Sequence, residues 1–475
     1  MADMIRAAVQ TGPRQIEIRE FPRPVIGPDD GGLLRVEACG ICGSDVEQYK
    51  GSMGSQWLPM VPGHEPLGII EEVSPRAAAR WGVKPGDRVA VEILIPCRSC
   101  DLCLAGRYMS CRNRIGSHGG SNPPERGLGP WGGFAEYIHL HPNAILHKVR
   151  NDIPAEVAVM FNPLGAGVRW AAFLGGVQLG DTVLILGAGQ RGLAAVLAAR
   201  TAGAGTIIVT GLSRDASKLA LAREFGADHT IDVEAEDTVS RVLDITGGAG
   251  ADVVLELTPM ASQPVRDALN AVRWGGRVVL AGLKGGRPTE LSTDQIINKS
   301  LTVMGAFSVD SRGYTEAIRL IEAGRFPLAR MHTHTFGLED VARAIETLAG
   351  EVPGEDAVHV AIVPRGTGNL GADRRARARD AGVVPAGAGR VRSLALHVPG
   401  RGRRAAAGVG AGALHRADGV VRRGAAAGRQ RRQRSRRGGR FPVPAAAELR
   451  VAGSCRARSG PLGQRVHRGP VRRGA

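Results

Sequence analysis

No uncharged apolar run in the 475 residues reaches the roughly 18 needed to cross a bilayer. Met1 to Arg14 contains no apolar stretch of the kind that opens a secretory signal. Neither a membrane partner nor export is expected, and a cytoplasmic location follows as an expectation. Aromatic residues are scarce, at 4%. Residues 365–475 hold one, Phe441, and no Tyr, Trp, Lys, Ile or Met. That segment has 27 arginines against four acids, Asp373, Asp380, Asp418 and Glu448, and is otherwise mostly Gly and Ala. The formal charge of +17 therefore belongs to the tail, because the first 364 residues carry 35 basic and 41 acidic side chains. A nucleic-acid binder is excluded as a description of the body.

The tail shows no apolar periodicity and cannot bury enough surface to offset its ordering entropy, so it reads as disordered. Two origins compete for it. One is a basic arm for RNA or DNA, disfavoured because stacking aromatics and RGG-type repeats are missing. The other is out-of-frame translation of GC-rich codons beyond Pro364. A nucleic-acid partner is not expected.

Residues 1–155 read as short strands broken by Gly and Pro, as at Pro62-Gly63, Pro85-Gly86-Asp87 and Gly132-Gly133. From Asp181, apolar strands alternate with helices: Thr182–Leu186, Arg191–Ala202, Thr206–Thr210, Ala216–Phe225, Ala251–Leu257 and Arg277–Ala281. Such alternation implies a parallel sheet covered on both faces. Late helices are expected over Thr315–Ala323 and Leu338–Leu348, and a final strand over His359–Val363. The class is α/β: a β-rich domain over 1–155, completed by about 300–364, and a doubly wound domain over 156–299.

Six of the seven cysteines stand at short spacings, which favours a reducing compartment and metal over disulfides. Cys97, Cys100, Cys103 and Cys111 form C-x2-C-x2-C-x7-C. Four thiolates leave no open position for water, so zinc held there is structural. An iron–sulfur cluster is the other metal reading, with nothing else in support.

Gly187-Ala-Gly189-Gln190-Arg191-Gly192 follows a strand and opens a helix. The first Gly makes the tight turn, the second admits a pyrophosphate, and the third lets helix and strand pack. The helix N-terminus with Gln190 and Arg191 then faces the phosphates. After the second strand come Gly211, Ser213 and Arg214, with no acid for a ribose 2′-hydroxyl. A 2′-phosphate on Arg214 and the Ser213 hydroxyl tilts the cofactor to NADP over NAD. The plainer alternative is that Ser213 and Arg214 merely start a solvated helix, with Ser213 as its cap.

Cys39-Gly-Ile-Cys42-Gly-Ser44-Asp45 and Gly63-His64-Glu65, with these features and the Val83–Val89 and Gly132–Tyr137 segments, resemble the zinc-dependent medium-chain dehydrogenase/reductase family. The resemblance covers residues 1–364. It implies a GroES-like catalytic domain, a Rossmann domain and an active site between them. By that resemblance Cys42 and His64 hold a catalytic zinc, and Cys39 is core. Ser44 relays the alcohol proton, and Asp45 orients the His ligand. Two zinc ions per chain, an alcohol or polyol (or the matching carbonyl) as substrate, and dimers or tetramers follow from it. The sequence departs from the pattern at Asn162-Pro163-Leu164, where a Cys or Glu ligand is usual. Glu65 completes the shell, or Asn162 does so weakly, or metal affinity is reduced. Glu47 stands where the relay is often His, and Ser74 where Gly or Ala is usual. Trp57 lines the substrate pocket or belongs to the core. A zinc-poor, non-catalytic nucleotide-binding relative is the competing reading, resting on Asn162.

Overall fold

The computed structural model describes residues 3–54, 58–120 and 131–365. The basic tail beyond 365, with every expectation attached to it, and Trp57 lie outside the described residues.

Among the described residues, nine strands precede the nucleotide-type half: β1 (Met4–Gly12), β2 (Gln15–Pro22), β3 (Gly32–Gly40), β4 (Glu65–Val73), β5 (Arg88–Val91), β6 (Leu94–Ile95), β7 (Gly116–Ser117), β8 (Tyr137–Leu140) and β9 (Leu146–Lys148). The α-helices described among them are α1 (Gly43–Lys50), α2 (Pro75–Trp81) and α3 (Asp101–Leu104). Ser74, singled out as a departure, caps α2: its Oγ accepts from Ala77 N at 3.2 Å.

The chain then runs through α4 (Ala155–Ala158), α5 (Phe161–Gly167) and a π-helical turn, Val168–Leu174. Residues Ala155–Leu174 are long and apolar enough to cross a membrane, but most of them are buried in this protein. They pack against α6 (Gln190–Ala202) and α11 (Ser311–Ala323), so their apolarity is that of a core helix.

Six strands follow: β10 (Thr182–Leu186), β11 (Thr206–Gly211), β12 (His229–Asp232), β13 (Ala251–Glu256), β14 (Val272–Leu280) and β15 (Thr302–Gly305). All pair in parallel, in the order β12-β11-β10-β13-β14-β15. Order reverses between β10 and β13, which opens a crevice beyond their carboxyl ends. Helices α6, α7 (Ala216–Glu224), α8 (Thr238–Ile245), α9 (Gln263–Ala271) and α10 (Thr293–Asn298) accompany this sheet. Its central strands are buried on both faces, hence the runs Val183–Leu186 and Ile207–Val209. The boundary drawn at residue 299 is corrected: β15 pairs with β14, so the parallel unit extends to Gly305. Only four residues long and with no fully buried side chain, that strand has no apolar run to mark it in the sequence.

After α11 the chain returns through β16 (His332–Phe336), α12 (Val341–Leu348) and β17 (His359–Ile362). These strands join a seven-stranded sheet in the order β16-β17-β3-β4-β5-β9, with β8 on β3. Residues distant in sequence thus complete one domain. Ile41 N donates to Val360 O at 2.9 Å, which fixes the loop that carries Cys42.

Two buried imidazoles make this fold acid-sensitive. Burial pushes His118 down to about 4. It pushes His359 down to about 3, helped by His332. Both stay neutral in the fold, while the unfolded chain protonates them below about 6.5. The unfolded state therefore binds more protons between that pH and about 4, and stability falls on acidification. Denaturant unfolding across this range should lose up to ~3 kcal/mol per ring. His118→Gln and His359→Gln should each flatten the profile; an unchanged slope in both contradicts the assignment.

Candidate active site

The end of β3 and the start of β4 lie side by side, with Gly40 opposite Glu65. A side chain at Gly40 would sit 2.4 Å from Glu65 Oε2, so only glycine leaves room for this buried carboxyl. Cys42 begins α1 in extended conformation. Its N–H donates to Asp45 Oδ2 at 2.8 Å, and His64 Nδ1 lies 3.0 Å from Asp45 Oδ1. Asp45 therefore fixes both the backbone of Cys42 and the His64 ring, leaving Nε2 for the cluster. Cys39 is fully buried, and burial pushes its thiol well up, as suits a core residue.

Ligand atoms of Cys42, His64 and Glu65 all lie within 4.8 Å of one another. Sulfur, imidazole and carboxylate together suit a zinc-type ion. Glu65 is fully buried, and its Oε2 has no hydrogen-bond partner. Burial and then the neighbouring Cys42 raise its carboxyl to about 8. Burial opposes ionisation of Cys42, but the Arg191 guanidinium and then His64 overcome it and lower the thiol to about 6. These donors fit a divalent cation.

Asn162 is also fully buried beside them. Its Nδ2 donates to Tyr314 Oη at 3.0 Å, which turns Oδ1 toward Arg191 at 3.1 Å. Ser44 and Glu47, the expected relay, are half-buried near the start of α1. They share one helix face, but no side-chain hydrogen bond joins them to the cluster among the described residues.

Arg191, expected at the phosphates with the helix N-terminus, sends its side chain to the cluster while its backbone stays in the first turn of α6. One of its nitrogens, Nη2, lies 3.0 Å from Cys42 Sγ, 3.1 Å from Asn162 Oδ1 and 3.4 Å from Glu65 Oε1. Two buried acidic groups draw the guanidinium across the cleft. Gln190 behaves similarly: its Nε2 donates to Ile41 O at 2.9 Å, tying α6 to the loop before Cys42.

The loop glycines fit the fingerprint. Gly187 has φ +112°, the turn that glycine permits. A Cβ at Gly192 would lie 1.9 Å from the Gly187 carbonyl, whereas one at Gly189 would meet nothing within 4 Å. Close packing at the third glycine and open space at the second are what a pyrophosphate cradle needs. Gly211 packs under α7, where a Cβ would meet Leu219 at 3.1 Å. The absence of acids beside Ser213 is corrected. Its hydroxyl donates to Asp232 Oδ2 at 2.6 Å and its N–H to Glu234 Oε2 at 2.8 Å. Both acids follow from β12, whose pairing with β11 had not been foreseen. Arg214 is exposed and in no ion pair among the described residues. Also unforeseen is a buried ion pair at the end of β13: Lys284 Nζ lies 3.0 Å from each Glu256 oxygen.

The cysteine cluster is a second donor set. Cys97–Cys103, Cys100–Cys111 and Cys97–Cys111 sulfurs are 3.9, 3.9 and 3.5 Å apart. A tetrahedron with Zn–S near 2.3 Å has edges of about 3.8 Å. Backbone N–H groups of Ser99 and Cys100 point at Cys97 Sγ, and the first helps lower that thiol to about 6.

Residues 28–151 match the alcohol dehydrogenase GroES-like domain and residues 192–323 the zinc-binding dehydrogenase domain. The chain is 43% identical over 366 residues to a Mycobacterium tuberculosis protein named "Probable alcohol dehydrogenase adh". That match spans 76% of this chain and 99% of the relative. The chain belongs to the zinc-dependent medium-chain dehydrogenase/reductase family. It is 33% identical to an erythritol/L-threitol dehydrogenase of Mycolicibacterium smegmatis, over 76% of this chain and 98% of that one. A Sinorhizobium meliloti protein solved with NADP bound superposes with a TM-score of 0.66 at 31% identity, over 76% of this chain and all of the other.

The two glycine environments predict opposite outcomes. Gly189→Ala should leave stability within about 0.5 kcal/mol but weaken nicotinamide nucleotide binding about tenfold or more, read by reduced-cofactor fluorescence. Gly192→Ala should cost about 3 kcal/mol or more in denaturant unfolding. Normal nucleotide affinity in Gly189→Ala would contradict the cradle.

Proposed function

We propose that the protein transfers a hydride between an alcohol or polyol, or the matching carbonyl, and a nicotinamide cofactor, with zinc held by Cys42, His64 and Glu65. The observation that carries this reading is their convergence beside the N-terminus of α6, where Gln190 grips Ile41. Zinc supplies a Lewis acid that polarises a carbonyl or acidifies an alcohol, and the nicotinamide supplies the hydride chemistry. The chain's own residues do the rest. Asp45 holds His64 with Nε2 toward the donors and Cys42 at the helix start. The half-buried positions of Ser44 and Glu47 support a path carrying the alcohol proton outward. Tyr314 holds the Asn162 amide in place. Named relatives acting on alcohols and a polyol support the substrate class.

The tetrahedral sulfur spacing supports a second, structural zinc on the four cysteines, and so two per chain. The absence of a disulfide among the six described cysteines supports a reducing, cytoplasmic compartment. Exposed Trp274 on β14 and Ile297 on α10, next to the β15 edge of the sheet, support a homo-oligomer formed there.

The test is a screen of alcohols and polyols with NAD and NADP, followed by reduced-nicotinamide absorbance. Zinc-loaded protein should turn over, and Cys42→Ala should lose ~10³-fold or more in kcat/KM. No turnover with either cofactor sinks the reading. Cys100→Ser should release one zinc per chain and lower the melting temperature, with the catalytic zinc retained.

Cofactor choice lies between Arg214, which favours a 2′-phosphate, and Asp232 with Glu234, which oppose it. Arg214→Ala should weaken NADP about tenfold and leave NAD within about twofold. Equal losses for both would remove Arg214 from the ribose site.

A further inference from the structure

Arg191 and Asn162 stand out because each is unusual at its place and the two touch. A neutral amide occupies the position beside Cys42 and Glu65 where a further anionic donor would strengthen a cation site. The guanidinium of Arg191 reaches across from the nucleotide loop and satisfies that amide, the Cys42 sulfur and the Glu65 carboxyl with one nitrogen. Its position is built, not incidental. The Trp170 ring lies 5.3 Å from the guanidinium carbon, a cation–π contact. Tyr314, itself fully buried, fixes the Asn162 amide so that its oxygen faces the nitrogen. Gln190, next in the chain, is pinned to Ile41 and holds the start of α6 against the cluster.

A metal bonded to Cys42 and Glu65 draws on the same Sγ and the same Oε1. Two cations on one pair of buried anions would repel in a medium that screens poorly. The two anions together just balance a divalent ion, so a guanidinium held beside that ion would leave one positive charge in excess. We propose that Arg191 is a resident competitor for the catalytic metal: its guanidinium and the ion are alternative occupants of the Cys42–Glu65 donor set. The protein then holds its structural metal tightly and its catalytic metal weakly and exchangeably. In the metal-free state the guanidinium keeps the site folded by pairing charges that would otherwise be buried alone. This inference rests on the reading of Cys42, His64 and Glu65 as metal ligands.

The test compares the wild type with Arg191→Ala and Arg191→Met, the second keeping bulk without charge. Each protein is stripped of loosely held metal with a mild chelator, leaving the four-cysteine site filled. Cobalt(II) is then titrated in against a competing chelator, following the cobalt–thiolate absorption that Cys42 supplies. Both variants should bind the catalytic ion about 10- to 100-fold more tightly than the wild type, the span by which groups around ligands ordinarily alter metal affinity. Stripped variants should melt below the stripped wild type, and added metal should close that gap. A purely structural Arg191 would lower stability with and without metal and would not tighten binding. Equal or weaker affinity in both variants overturns the proposal while leaving the ligand assignment standing. Absence of any second ion in all three proteins overturns both.

Discussion

Two acidic groups, the Cys42 thiol and the Glu65 carboxyl, are buried within one cluster where the two sheets meet, and each needs positive charge or a hydrogen bond to stay there. The surrounding architecture can be understood as the supply of those partners. The end of β3 and the start of β4 bring the two groups together, and Gly40 leaves room for the carboxyl. Asp45 accepts from the Cys42 N–H and turns His64 inward. Helix α6, from the other sheet, sends Gln190 to the Ile41 carbonyl and Arg191 to the anions themselves. The cleft between sheets is thus electrostatically stitched at the place where a hydride donor and a polarising ion would have to meet.

The cofactor side follows from glycine sterics rather than charge. Gly187 takes the turn, Gly192 lets α6 approach β10, and Gly189 leaves open space at the helix N-terminus. The four-cysteine cluster is separate from this cleft. It lies in a loop in which α3 has only four residues, too short to be stable alone, and a metal bound there would stand in for a hydrophobic core.

Much of this was legible from residues alone, where chemistry is local. Cys97 to Cys111 lie within 15 positions, and their spacing reports a tetrahedral site. The fingerprint glycines, Cys42 and His64 sit in short motifs, and the buried strands β10, β11 and β13 announce themselves as apolar runs. What escaped was set by pairing across distance. β12 and β15 are four-residue strands with one fully buried side chain, Ile231, between them, and only their neighbours reveal them. Missing β12 hid Asp232 and Glu234 beside Ser213. Missing β15 drew the domain boundary too early. Arg191 occupies an unspecified position of the glycine motif, and nothing local says that its side chain crosses to Cys42.

The account stands on the claim that Cys42, His64 and Glu65 form a cation site whose tenant is either a metal or Arg191. A crystal structure of zinc-saturated protein, with anomalous data at the zinc edge, tests it most directly. The predicted result is two anomalous peaks per chain, one among the four cysteines and one bonded to Cys42, His64 and Glu65, with the Arg191 guanidinium withdrawn from Cys42. A peak at the four cysteines alone, with Arg191 still on Cys42 and Glu65 in saturating zinc, would contradict it.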